Sequence, residues 1–365
     1  MRGGGSLSPP GWLPAGLNGG WIYRDRVDPA NHALSLSAFY AGRYRHSGRE
    51  VWLQRLKAGE IRHNGEGVQV DGPLAVGDRL TWHRPPWREE AVPERWPVVF
   101  DDGDLYVMDK PRGLPVLPGG GWLEHTVLRL LERRFPEGGS RAQGGVPRPV
   151  HRLGRHTTGL LVCARTPMMR SWLSAQLRES TAAALDVAGG LGQACSSGWP
   201  AWPCRKTYRA LTAPFPLALA PGESLEITTS ICRKPHPLLG QIWAGSGSAD
   251  VDGVLPAISR ITLLERREDA SLVTVTIGSG RPHQIRIHLA SIGAPLLRDP
   301  LFLPGGKAHP GMRPGEGGYL LHAHQLRLPL PNGAELELVA PCPPELRYGP
   351  LDDSHRAKTS LHQPQ

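Results

Sequence analysis

A chain of 365 residues with 39% hydrophobic and 21% charged side chains is long enough for a large core and a small accessory domain. Its 42 Lys plus Arg against 33 Asp plus Glu leave a net charge of +9, which suits a polyanionic partner such as nucleic acid and equally an Arg-rich chain without one. No apolar run approaches the ~20 residues of a membrane span, and 5 Cys without a C-x-x-C pair, with 15 scattered His, support neither a zinc site nor a disulfide framework. Reduced thiols in an intracellular compartment are the simpler expectation, with cytoplasm, nucleus and organelle not distinguished.

The opening MRGGGSLSPPGWLPAGLNGG lacks the charged and apolar regions of a secretory signal and is Arg-poor for a transit peptide. Residues 1–46 read as an irregular leader with one helix around Ser35 to Tyr44. Beyond it, VWLQRLKAGEI places Val51, Trp52, Leu53, Leu56 and Ile61 for a short amphipathic helix that Gly59 ends. VQVDGPL reads as a strand and turn, and GDRLTWHR as a second strand. HRPPWREEAVPERWP (83–97) is an extended linker, because each Pro fixes its own φ and restricts the residue before it. Trp82, Trp87 and Trp96 either stack on bases or pin this linker to a domain surface.

The main domain, 98–342, opens with VVFDDGDLYVMDKPRGLPVLPGG: strand, turn, strand from Leu105 to Met108, then a Lys-Pro turn. A helix is predicted over 123–135, with Val127, Leu130, Leu131 and Phe135 on one face. VHRLGRHTTGLLVCART (150–166) joins a polar loop to a buried strand, the usual place for chemistry on a rigid scaffold. A helix follows with Met169, Trp172, Leu173 and Leu177. Residues 179–203 are rich in small side chains and read as a surface insertion, tolerated at modest entropic cost. CRKTYRALTA, LEITTSI and SLVTVTI are strands. In GSGRPHQIRIHLASIGAP, Pro282 suits a helix start and Gly293 its end. Ile285, Leu289 and Ile292 form its apolar stripe, and His283 and Arg286 share another face. YLLHAHQLRLPLPNGAELELVAP supplies two more strands, and 343–365 reads as a disordered tail. Many strands with few helices indicate an α+β domain with a mixed, largely antiparallel sheet.

Three stretches in order, DKPRGLPVLPGG, HRLGRHTTGLLVCART and SGRPHQIRIHLASIGAPLLRDPLF with LLHAHQL behind it, resemble the motifs of RluA-type RNA pseudouridine synthases. The H-R-L-G-R variant, the P-P-W linker and G-R-P-H-Q-I-R-I-H-L-A are similar to a plant-type branch of that family. The helix and hairpin of 47–82 resemble the S4-like RNA-binding module found ahead of many such enzymes. Arg55 and Lys57 would then face phosphates.

The resemblance implies a pseudouridine synthase fold and conversion of uridine to pseudouridine in structured RNA, tRNA or rRNA, by a monomer without cofactor or metal. The N-glycosidic bond breaks, the base turns, and it rejoins the sugar through C5 in a water-poor pocket. Tyr208 would stack on the base and Arg286 would pair with the catalytic Asp. Arg152 and His151 would help eject the base or hold flanking phosphates. Lys110, Arg112, Arg281 and His283 would lie near the RNA, and Leu320 or Leu321 would wall the pocket. One position departs from the pattern: Gly154 stands where the family carries its nucleophilic Asp, and 150–166 contains no acid at all. Asp109 or Asp299, from other motifs, could come near, although the latter position belongs to a structural turn in the family. Without a carboxylate Arg286 would lose its partner.

Taken singly, each residue has a plainer role. Tyr208 is then a strand aromatic, Arg286 a helix-surface cation, and His151 and His283 hydrogen-bonded loop residues. Two functions remain open: a working synthase with a displaced acid or altered mechanism, and a catalytically silent RNA-binding protein or RNA chaperone that keeps the fold. A metal-dependent hydrolase has no ligand spacing behind it.

Overall fold

The central strand of the molecule, Thr158–Ala164, is buried at every position, which is why its sequence is a continuous apolar run rather than an alternating one. In this computed structural model residues 9–136, 145–189, 202–246, 253–349 and 358–362 are described. An 11-stranded sheet runs Ser224–Ile227, Ser259–Arg267, Ala270–Ile277, Arg205–Thr212, Leu321–Pro329, Thr158–Ala164, Leu105–Lys110, Val98–Asp101, with three short strands off this path. Its neighbours are antiparallel except Thr158–Ala164 and Leu321–Pro329, which pair in parallel through Thr158 with His322 and Gly159 with Ala323. Gly159 has φ +99°, and a Cβ there would overlap the Ala323 carbonyl, so only glycine permits this pairing. The architecture is α+β, with a mixed, largely antiparallel sheet.

The helices Val127–Arg134, Pro167–Gly189 and Gln284–Ser291 accompany this sheet. The first starts later than its apolar pattern suggests, because the Thr126 side chain accepts from Arg129 N–H and caps it there. The main core joins Leu105, Val107, Leu130, Leu161, Leu173, Val273 and Leu289.

Two compact units make up the chain: 14–90 with 235–241, and the remainder. The leader expected over 1–46 is therefore largely folded. Trp21–Arg26 pairs with Arg79–Arg84, and that strand with Ile61–His63. The sequence hid this strand because its inward face is Tyr23 and Asp25 rather than aliphatic; Tyr23 stacks on Trp82 at 4.7 Å. Two helices, Leu36–Arg43 and Arg49–Lys57, complete an aromatic core in which Tyr40 stacks on Trp52 at 4.7 Å.

The linker is also more structured than its prolines imply. Arg88–Glu89 pairs with Gly16–Leu17, and Val92–Pro93 pairs with Trp12–Leu13. Trp82 and Trp96 are packed, the latter donating to Tyr106 Oη at 2.9 Å, so neither offers a face to a base. The expected insertion begins as helix, which runs to Gly189, and ends in a buried Trp202 beside Ala184 and Ile258; residues 190–201 lie outside the described ones. In the expected tail, Leu346 is buried and Lys358–His362 pairs with Glu335–Val339.

Candidate active site

Several loops around the large sheet converge on a cavity of about 700 Å³. The 115–120 loop, the HRLGR loop, the Arg205–Thr212 strand and the turn into the Gln284–Ser291 helix supply its walls, with Trp243, Tyr319 and Leu321. Five cationic side chains line it (Arg152, Arg155, Lys206, Arg281 and Arg286), and among the described residues that line it there is no Asp or Glu. Such a cavity favours anions and lacks an acid.

Tyr208 reaches the cavity from the strand and is 8% exposed; burial pushes its phenol up to about 12, so it stays neutral. Lys206, two residues before it, lies on the same face of the strand and also lines the cavity. Burial lowers its pKa. A Cβ at Gly280 would lie 3.4 Å from its Nζ. The His151 Nε2 accepts from Val162 N–H at 3.1 Å, tying the loop to the central strand. Burial first and Lys206 second push His151 down to about 3, so it is a neutral ring and not a cation. His283 opens its helix in the left-handed region at φ 55°, a strained setting for a non-glycine residue next to a cavity. Burial and Arg286 hold it neutral as well, at about 3. Gln284 fixes the turn: its Oε1 accepts from Ser279 Oγ and Arg281 N–H, and its Nε2 donates to the Ile258 carbonyl.

Arg286 has not lost its carboxylate. Its Nε and Nη2 donate to Asp299 at 2.7 Å each, and Nη1 donates to the Pro314 carbonyl. Both side chains are almost completely buried, at 3% and 0% exposure. Asp299 also accepts from Leu301 and Phe302 N–H, so its oxygens are spent on a turn and an ion pair. Asp109 is half-buried in its strand opposite Leu160 and accepts from Gly159 N–H; desolvation raises it to about 6. Neither acid lines the cavity, and the displaced-acid expectation is corrected on that ground.

Gly154 itself is unstrained, since it is not among the residues at positive φ. Its lack of a side chain has a different cause. A Cβ there would overlap the hydroxyl of Tyr319 and lie 3.2 Å from Thr157 Oγ1. Tyr319 is 2% exposed, its Oη stands 3.3 Å from Thr157 Oγ1, and the Arg286 guanidinium lies 4.3 Å from its ring centre. A phenol thus fills the volume that a side chain at 154 would need.

The profile described as RNA pseudouridylate synthase matches residues 104–291. An uncharacterised RNA pseudouridine synthase of Synechocystis sp. is 40% identical, covering 84% of this chain and 94% of its own length. RNA pseudouridine synthase 5 of Arabidopsis thaliana is 37% identical over 91% of this chain and 95% of its own. The chain belongs to the RNA pseudouridine synthase family. Among solved structures, human RNA Pseudouridylate Synthase Domain Containing 4 aligns over 68% of this chain and 89% of that one, at 21% identity and a TM-score of 0.46.

In this pseudouridine synthase the structure gathers His151, Arg152, Gly154, Tyr208, Arg281, His283, Arg286 and Leu321 around one cavity. Leu320 is excluded, packing with Leu211 and Leu272 instead. Lys110 is corrected: it is fully buried, and its Nζ donates to the carbonyls of Pro111, Leu114 and Arg155, leaving nothing for a phosphate. Arg112 braces the carbonyls of Gly318 and Tyr319 through Nη1. In the N-terminal unit Lys57 is exposed, whereas Arg55 is half-buried and stacks on Trp52 and Trp82 at 4.3 and 4.5 Å. Tyr319, Lys206 and Thr157 were missed as site residues. Lys206 had a signal, its place in K-T-Y, and Thr157 belonged to the Thr pair of the motif.

The same unit presents a face that the helix reading overlooked. Register places Arg24, Thr81 and Arg62 side by side, with Arg26 opposite Arg79 and Ile22 opposite His83, on the sheet face away from Trp82 and Leu80. Desolvation first, then Arg62 and Arg24, lower the pKa of His83.

One group of three metal-capable side chains occurs among the described residues, His322, His324 and Cys342, all buried. Their atoms are engaged by the fold: His322 Nδ1 with Thr158 Oγ1 at 2.8 Å, His324 Nδ1 with the Ala340 carbonyl at 2.8 Å and with Cys342 Sγ. Cys163, Cys204, Cys232 and Cys342 are buried; Cys195 lies outside the described residues.

Proposed function

We propose that the cavity receives a uridine turned out of a structured RNA, tRNA or rRNA, and returns it as pseudouridine. The observation that carries this reading is a cavity of about 700 Å³ walled by a neutral aromatic ring and five cations, without an acid to repel phosphate. A base leaving its stack gains a new stacking partner in Tyr208, a contact worth ~1–3 kcal/mol per base. Arg152, Lys206 and Arg281 meet the phosphates on either side of the turned-out nucleotide. Arg286, held by Asp299, shapes the floor.

RNA also contacts the N-terminal unit, which we read as S4-like, through the Arg24, Arg26, Arg62 and Arg79 face. Two members of the family from a cyanobacterium and a plant are similar over most of their length, which supports assignment to the plant-type branch. We read the protein as a monomer. A sequence without a disulfide framework and with buried cysteines fits a reducing compartment. No described helix is long and apolar enough to cross a membrane.

A second reading has its own observation. Gly154 brings no carboxylate to the cavity, and a protein that binds and remodels RNA without turnover would need none. Incubating the purified protein with total RNA from cells that lack it separates the two. New pseudouridine at a few defined positions supports the synthase. Saturable binding with none formed supports the silent binder.

A further inference from the structure

We propose that Tyr319 is a catalytic residue, its hydroxyl standing in for the carboxylate that position 154 cannot provide. The inference rests on the uridine reading of the cavity and adds the group that attacks the sugar.

Three observations place the hydroxyl. It overlaps the position that a Cβ of residue 154 would take, and so occupies the space that a side chain there would enter. It stands 3.3 Å from Thr157 Oγ1, a hydroxyl that can pass a proton in either direction. Beneath its ring, at 4.3 Å, is the Arg286 guanidinium, which holds the ring in place beside the cavity. The other oxygen nucleophiles are committed elsewhere. Asp299 is saturated by Arg286 and two backbone N–H groups, and Asp109 is outside the cavity. Tyr208 presents its ring as a wall.

The step balances without a co-reactant. The Tyr319 oxygen bonds to ribose C1′ as the C1′–N1 bond breaks. The phenolic proton passes through Thr157 to the departing uracil. The uracil turns, C5 bonds to C1′, and the C1′–Oη bond breaks. The proton displaced from C5 returns to Tyr319. One C–N bond has become one C–C bond, one proton has moved from C5 to nitrogen, and the phenol is restored.

The test uses purified full-length protein, with total RNA from cells lacking it as the probe, and follows pseudouridine formation, RNA affinity and melting temperature. Tyr319→Phe should lower the turnover rate by more than ~100-fold, the low end for a positioned proton-transfer group, with affinity within about twofold. Adding Gly154→Asp to Tyr319→Phe, which clears the oxygen and supplies a carboxylate, should recover part of that loss. If Tyr319→Phe forms pseudouridine at the wild-type rate, Tyr319 is not catalytic and the uridine reading stands without it. Should the wild type form none, both fall. If Tyr319→Phe melts early, Thr157→Val decides. A tenfold or greater loss of rate at unchanged affinity supports the relay, and an unchanged rate overturns it.

Discussion

Adding a single methyl group at Gly154 tests how tightly Tyr319 is held. In Gly154→Ala the new Cβ overlaps the Tyr319 hydroxyl and sits 3.2 Å from Thr157 Oγ1, while the ring carbon Cζ stays at an ordinary 3.5 Å. The backbone contributes no strain, because residue 154 is not at positive φ. Tyr319 has little freedom to retreat: Arg286 lies 4.3 Å from its ring centre, and Arg112 holds its carbonyl. Overpacking of this kind costs about 1–3 kcal/mol. Tyr319→Phe removes only the oxygen, at about 1 kcal/mol for its hydrogen bond. The double variant then has nothing to overlap. Urea denaturation of the four proteins should therefore give a coupling of about 1 kcal/mol or more, with Gly154→Ala costing far less in the Tyr319→Phe background than in the wild type. Additivity within about 0.5 kcal/mol would refute the claim that one oxygen excludes a side chain at 154.

Replacing Arg24 and Arg62 together with Ala should weaken RNA binding and flatten its salt dependence by about 1.5 in log K per log salt, at roughly 0.7 to 0.9 per phosphate contact; an unchanged slope would remove RNA from that face. Gly278→Ala should lower stability by about 1–3 kcal/mol, because a Cβ there comes within 2.5 Å of the Trp202 ring; a neutral result in urea would show that the end of the 179–203 segment does not pack. Burial holds His288 at about 4 and His322 at about 3, below the ordinary 6.5. Below pH 6.5 the unfolded chain binds the extra protons, at these two and at His151, His156 and His283, so stability should fall from pH 6.5 to 5 by at most about 1.4 kcal/mol per pH unit for each histidine. Urea midpoints at pH 7.5, 6 and 5 that do not move would contradict this.

Motif order alone located most of the cavity, because local spacing sets the faces of single elements. R-P-H-Q-I-R puts Gln284 inside the turn and brings His283 and Arg286 to one cavity, and K-T-Y puts Lys206 and Tyr208 on one face of a strand. What stayed hidden depends on elements distant in sequence. Thr157 and Tyr319 are 162 residues apart and meet only because two strands pair in parallel. The Arg286–Asp299 pair needs the turn after the helix to fold back. Lys110 looked like an RNA contact because an isolated Lys in a loop motif reads as exposed, whereas three converging carbonyls make it the peg of that loop. In the N-terminal unit, the stretch up to residue 46 gives the core Tyr23, Phe39, Tyr40 and Tyr44 with Val27 and Leu36, a set without aliphatic periodicity, so a folded segment read as an irregular leader.

The central claim is that this chain turns uridine into pseudouridine in a cavity whose described lining carries no carboxylate. Mapping pseudouridine across all cellular RNA, in cells with the gene and in cells without it, tests it most directly. The account predicts one or a few uridines, in tRNA or rRNA, that are modified only when the gene is present and regain modification when it is returned. An identical map in both cells, from a protein that still binds their RNA, would contradict it.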